Sequence, residues 1–155
     1  MLLMFKVKNY TSFKNESILD MRATAYVQHP NHVIHVNDKL GLLKATALYG
    51  ANASGKSNFI SAMFFFRQYI FSQFINKKEN EDFEINDSAV KMKLEPFGLL
   101  NDVNDASEFD IIFLHNDRQI QYGFECTPKE VLNEWLFIDD KKVFERTGVE
   151  LSFGN

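Results

Sequence analysis

The run Gly50-Ala51-Asn52-Ala53-Ser54-Gly55-Lys56-Ser57 constrains this chain more than any other feature. It fits the spacing G-x-x-x-x-G-K-[ST], in which each fixed residue has a mechanical task. Gly50 lets the backbone leave a strand sharply, and Gly55 permits a backbone geometry and a close approach that a side chain would obstruct. Successive N–H groups of such a loop point inward as an anion nest, reinforced by the positive dipole end of the helix that follows. Lys56 brings a cation within reach of β- and γ-phosphate oxygens. The Ser57 hydroxyl is placed to complete the coordination of a Mg²⁺ ion that bridges them. In a chain of 155 residues a chance match is roughly 0.5%, so an ordinary glycine-rich turn before a helix is the weaker reading.

The flanking pattern is the one this loop requires. Ala45-Thr46-Ala47-Leu48-Tyr49 is a short run of mostly small apolar residues that suits a strand buried on both faces. From Ser57 onward, Phe59, Met63, Phe66, Ile70 and Phe74 fall on one side of a helix, and Ile60, Phe64, Phe71 and Ile75 broaden the stripe. Such a helix packs on a sheet and is covered on part of its remaining circumference.

Elsewhere the chain reads as strands. Leu3, Phe5 and Val7 alternate with Met4, Lys6 and Lys8, and after a polar turn at residues 9–15 the residues Ile18, Leu19 and Met21 predict a strand pairing back as a hairpin. Residues 26–41 carry Pro30, Asn31, Asn37, Asp38 and Gly41 and read as a loop with some extended structure. Residues 108–114 and 119–126 around His115-Asn116-Asp117-Arg118 give a hairpin signal. Residues 133–138 give a further strand, and Asp139-Asp140-Lys141-Lys142 turns into Val143 and Phe144. The second half is therefore an antiparallel meander, unlike the strand, loop and helix before it.

Charge divides along the same line. Residues 1–78 carry 10 Lys/Arg against 3 Asp/Glu, a net +7, and residues 79–155 carry 7 against 18, a net −11, which together give the formal −4. The first half attracts anions and the second repels them. With 45% hydrophobic residues and 16 Phe the chain can bury a sizeable core. One cysteine, Cys126, excludes a disulfide framework, and a packed thiol is the reading for it. No apolar stretch approaches the roughly 20 residues that span a bilayer, and residues 1–8 lack a signal peptide's order. The expectation is a cytoplasmic chain with neither export nor membrane insertion. His29, His32 and His35 have a spacing that suggests metal ligation, but Pro30 interrupts any helix and no Cys or carboxylate stands nearby, which favours loop histidines.

Tyr49 to Asn58, preceded by Phe5-Lys6-Val7-Lys8-Asn9-Tyr10-Thr11-Ser12-Phe13-Lys14, resembles the start of the bacterial AAA-type ATP-binding proteins, which belong with the ABC-like ATPases of the SMC and RecF kind and include abortive-infection and other anti-phage members. The likeness continues through Pro96-Phe97, Glu108-Phe109-Asp110-Ile111, Tyr122-Gly123-Phe124, Glu134-Trp135-Leu136 and Phe144-Glu145-Arg146. It implies an α/β fold, the N-terminal lobe of a P-loop NTPase with an antiparallel β subdomain. Residues 1–78 would form the nucleotide-binding part, 79–88 an acidic connection and 89–155 the β subdomain. It implies ATP and Mg²⁺ as cofactors, held by Gly50, Ala51, Asn52, Ala53, Ser54, Gly55, Lys56, Ser57 and Asn58, with Ser57 on the metal.

In the family the opening turn lies beside the nucleotide, so Thr11 and Ser12 become candidate contacts near the ribose or phosphates. Many relatives have Arg at the Thr11 position, and Thr cannot replace a guanidinium as a charged ligand. The alternative is a simple polar hairpin turn. Hydrolysis in such enzymes also needs an acidic Walker B pair, a signature motif donated across a dimer and a switch histidine. None is recognisable here, and Asp139-Asp140 sits in a turn, so the catalytic residues are unassigned. The expectation is the ATP-binding lobe of an ATPase from a phage-defence or DNA-related system, with a homodimer or partner lobe and a nuclease or nucleic acid as possible associates. A non-hydrolysing dimerisation or partner-binding module is the alternative. Direct DNA binding by the +7 half is a third reading, open to a salt-dependence test.

Overall fold

The computed structural model describes residues 1–24, 28–75, 94–98 and 105–154, leaving aside the side chains of residues 73–75. The expected acidic connection at 79–88 lies outside the described residues. Among the described residues there are nine strands, one 3-10 turn and one long helix: β1 (Leu2–Lys8), β2 (Ser17–Asp20), β3 (Val33–His35), β4 (Gly41–Leu43), α1 (Lys56–Ile75), β5 (Ser107–His115), β6 (Arg118–Cys126), β7 (Val131–Ile138), β8 (Lys141–Thr147) and β9 (Glu150–Phe153). Seven form a single sheet in the order β2-β1-β5-β6-β7-β8-β9, and every pairing in it is antiparallel. The short β3–β4 hairpin stands beside β2, joined to it by the Arg22–Leu42 bridge.

Turn chemistry sets the register of the meander. Asn116 and Asp117 have φ of 49° and 60°, and Asp139 and Asp140 have φ of 51° and 60°. Paired positive φ values in a two-residue connection match the right-handed twist of the strands they join, and Asn and Asp accept that conformation at low cost. The second turn is tied down further, since Asp139 accepts hydrogen bonds from Arg118 Nε and the Gln119 amide at 2.9 Å each. An aspartate pair used in this way is a hairpin turn. The last strand, β9, was not anticipated from the sequence; Gly148 at φ 57° makes the turn that leads into it.

One face of the sheet carries the core. Phe5 and Val7 of β1, Phe109 of β5, and Phe124 and Cys126 of β6 are all buried in it, with Phe5, Val7, Phe109 and Phe124 fully so. The helix lies on this face. Phe59 and Phe66 each meet the Phe5 ring edge-on at 5.7 Å, Phe65 lies 5.1 Å from Phe109, and Tyr69 stacks on Phe124 at 4.0 Å. Edge-to-face and offset stacks of this kind add to the burial of large apolar rings. The buried stripe runs through Phe59, Ala62, Phe65 and Phe66, whereas Met63 and Ile70 are half-buried and Ile60, Phe64 and Phe71 are exposed. The sheet covers one stripe, and no described element packs on the rest of the broadened apolar face.

On the opposite face a polar cluster is built around Asp110, which is 1% exposed. Trp135 Nε1 donates to Asp110 Oδ1 at 2.9 Å, and Gln121 Nε2 approaches both carboxylate oxygens at 3.1 and 3.2 Å. Gly123 makes this possible, because a Cβ there would stand 2.4 Å from the indole and 2.6 Å from Asp110 Oδ1. Burial pushes the Asp110 carboxyl above its ordinary value, with the hydrogen bonds from Trp135 and Gln121 pulling the other way.

The expected buried strand at residues 45–49 is not formed. Ala45, Thr46, Ala47, Leu48 and Tyr49 are all exposed, Tyr49 at 91%, and no strand is assigned to them. A strand buried on both faces needs hydrogen-bonding neighbours at its edges. Among the described residues the strands are spent on the antiparallel sheet and on the β3–β4 hairpin. In place of an α/β arrangement with the loop leaving a buried strand, the described residues form an antiparallel sheet with the loop beside it.

Candidate functional site

The segment from Gly50 to Ser54 is exposed and leads directly into α1 at Lys56. The Ser54 amide donates to Ala51 O at 3.2 Å, Ala53 takes φ 64° and Gly55 takes φ 92°, which fold the loop back on itself. The two glycines matter for different reasons. At Gly50 a Cβ would meet Ser54 Oγ at 2.6 Å, so hydrogen there allows the loop to close. At Gly55 a Cβ would meet Ser12 Oγ at 2.7 Å and the Phe13 ring at 3.2 Å, in a backbone region that already disfavours any side chain. At both glycines a neighbouring side chain already occupies the space a Cβ would need.

Lys56 points into the loop. Its ammonium donates to Gly50 O at 2.8 Å and Ala51 O at 2.6 Å, and lies 3.5 Å from Ser54 Oγ. A cation resting on loop carbonyls must turn outward to meet an anion, exchanging those contacts for charged ones. Ser57 is exposed on the first helical turn, and Asn58 is half-buried beside it. Residues 50–58 are therefore contiguous in space as well as in sequence, with backbone donors, one ammonium and one hydroxyl gathered at a helix N-terminus. That is a donor set for phosphate oxygens and a hard divalent cation.

The turn between β1 and β2 abuts this loop. Tyr10 and Phe13 exchange backbone hydrogen bonds of 2.9 and 2.8 Å, so Thr11 and Ser12 form the tip. Asn58 Nδ2 donates to Ser12 Oγ at 3.0 Å, and Phe13 packs edge-on against Phe59 at 5.9 Å. Ser12 is brought directly to the loop. Thr11 is turned differently: its amide donates to Glu95 O at 2.7 Å, and its hydroxyl oxygen is buried with no hydrogen-bond partner among the described residues. Phe13, which fills the side of Gly55, and Asn9, which anchors the turn, were not singled out from the sequence. The signal for Phe13 was its place in the Thr-Ser-Phe run facing a glycine-rich loop.

Other candidates lie apart from the loop. His29 and His32 stack at 5.5 Å on the 3-10 turn (Pro30–His32), and among the described residues no three His, Cys, Asp or Glu side chains gather as metal ligands. Cys126 is buried, and burial pushes its thiol up to about 12. Tyr122 donates to Glu134 at 2.6 Å, and Arg146 Nε donates to the same carboxylate at 2.9 Å. Burial raises both Tyr69, to about 12, and Tyr122. The Tyr122–Glu134–Arg146 network ties β6, β7 and β8 together. Among the described residues no helix is long and apolar enough to cross a membrane.

A family model described as "AAA domain, putative AbiEii toxin, Type IV TA system" matches residues 45–147. The match begins at the segment before the loop and runs through α1, β5, β6, β7 and β8. No curated protein matches the chain.

Proposed function

The chain belongs to the AbiEii-type AAA-domain family, and from that premise we propose that it is the ATP- and Mg²⁺-binding lobe of an ABC-like ATPase of the SMC and RecF kind, acting in phage defence or a DNA-related system. The observation that carries the reading is the loop at residues 50–57, closed by two glycines where no Cβ would fit, with an inward Lys56 at the start of a 20-residue helix. Backbone amides of residues 51–56 and the Lys56 ammonium would hold the phosphates. Ser57 would face the metal, and Asn58 and Ser12 would border the loop, with Thr11 behind them. Bound there, Mg²⁺ would neutralise phosphate charge. The chain's own residues bind and orient.

Support for a lobe that is completed by further elements comes from two exposed apolar surfaces. Residues 45–49 form an exposed run outside any strand, and α1 exposes Ile60 at 58% and Phe71 at 48%. A second sheet seated on that side would pair the one and cover the other. Turnover of ATP is proposed to require Walker B and signature residues brought by such elements, in a dimer or with a partner lobe. The cytoplasm is the proposed setting.

Titration with MgATP tests the reading. Wild type should bind saturably and Lys56→Ala should lose at least tenfold in affinity, about 1.4 kcal/mol; equal affinities would sink a nucleotide site at this loop. ATP turnover by this chain alone, abolished in Lys56→Ala, would count against both the requirement for added motifs and the alternative of a non-hydrolysing module.

A further inference from the structure

Asn9 is 3% exposed and stands at the end of β1 with φ 50°. Its side chain makes three hydrogen bonds and its backbone carbonyl a fourth. Nδ2 donates to Asp105 O at 2.7 Å and to Ala106 O at 3.3 Å, Oδ1 accepts from the Phe97 amide at 3.1 Å, and its own carbonyl accepts from Ser107 Oγ at 2.5 Å. A buried amide with donor and acceptor both used fixes the orientation of everything it joins. Here it joins the start of β5 and the segment at 94–97 to the Thr11-Ser12 turn.

That turn is strained. Thr11 has φ 48°, a conformation that is an outlier for a β-branched residue. Strain of this sort persists only where the surroundings over-determine it, and it collects at ligand clamps. The surroundings are the Asn9 bonds on one side and the Thr11 amide on Glu95 O on the other. What the turn gains is the placement of Ser12 against Asn58 and Gly55.

We propose that Asn9 is a positioning residue for the nucleotide loop, holding the strained Thr11-Ser12 turn against Gly55 and Asn58 and coupling occupancy of the loop to the start of β5. The proposal rests on residues 50–58 being the nucleotide site. It predicts that removing the Asn9 side chain weakens nucleotide binding although Asn9 itself does not border the loop. Asn9→Gly is the informative variant, because glycine keeps the left-handed backbone and deletes only the side-chain bonds.

MgATP affinity is measured on the full chain for wild type, Lys56→Ala, Asn9→Gly, Ser12→Ala and the Asn9→Gly/Ser12→Ala double variant. Asn9→Gly and Ser12→Ala should each weaken binding by about 5- to 50-fold, and the double variant should be little worse than the poorer single, since both act through one turn. Wild-type affinity in Asn9→Gly beside lost binding in Lys56→Ala overturns the proposal and leaves the site standing. Wild-type affinity in Lys56→Ala removes the site, and the proposal with it. Hydrogen exchange adds a readout that an asparagine of purely architectural role would not move, and it serves even where Asn9→Gly does not fold. MgATP should slow exchange at the Thr11 and Phe97 amides in wild type, and Ser12→Ala, which leaves Asn9 in place, should abolish that protection; retained protection in Ser12→Ala overturns the coupling.

Discussion

The two sides of α1 differ in kind. Toward the sheet, Phe59, Phe65 and Phe66 meet Phe5, Phe109 and Phe124 in a dense set of ring contacts, while away from it Ile60, Phe64 and Phe71 are exposed, as are the first residues of the glycine-rich loop that leads into the helix. The first surface is packed among the described residues. The second has the composition of a core without the contacts of one. Apolar residues on both sides of a helix therefore report two different things here, an interior already assembled and a surface suited to further packing.

The largest effect should come from the finished side. Phe124 is fully buried and touches Phe66, Tyr69 and Phe109, so Phe124→Ala should cost about 3–5 kcal/mol in urea denaturation. A loss under about 1 kcal/mol would mean that the helix is not seated on the sheet as described.

An intermediate effect lies in the pH dependence of the outer-face cluster. The folded chain holds the Asp110 proton more tightly than an unfolded chain, whose aspartates release it near 3.8. Asp110 therefore favours folding most fully below that value, and its contribution is lost as pH rises through the folded-state value. Asp20 and Asp139, both held below the ordinary range by Arg22 and Arg118, slope the other way. Subtracting the stability profile of Asp110→Asn from that of wild type isolates Asp110, and the difference should fall as pH climbs above about 4. A flat difference would place Asp110 in water.

The smallest effect should come from the open side. Ile60→Ser removes an exposed side chain and should change stability by no more than about 0.5 kcal/mol. A cost several times larger would show that this face is already covered, by a second copy or by residues outside the described set.

The contrast also explains which parts of the structure were legible in the sequence. β1 was readable because its alternation matches its burial, and β5 to β8 because Asn116-Asp117 and Asp139-Asp140 signal two-residue turns. The start of the helix followed from the loop motif, and the apolar period placed Phe59 and Phe66 on the buried side but left out Ala62 and Phe65, which are buried with them. Residues 45–49 misled, since small apolar composition records a preference for burial and does not itself supply a neighbour. Within the candidate site, residues 50–58 were legible as one contiguous motif, and Ser12 through the family resemblance. Asn9 was not, because its role depends on bonds to Phe97, Asp105 and Ala106, nearly a hundred positions along the chain.

Sheet order carries a consequence for how the chain is made. β1 is flanked by β2 and by β5, and β5 starts at residue 107. During synthesis the Phe-rich helix emerges well before the strands that provide most of its seat. Long-range pairings form slowly, and sticky surface is left bare until they do. Refolding should accordingly be slow and concentration-sensitive, with helix-bearing intermediates that aggregate, and a nascent chain halted before β5 should be a client for chaperones.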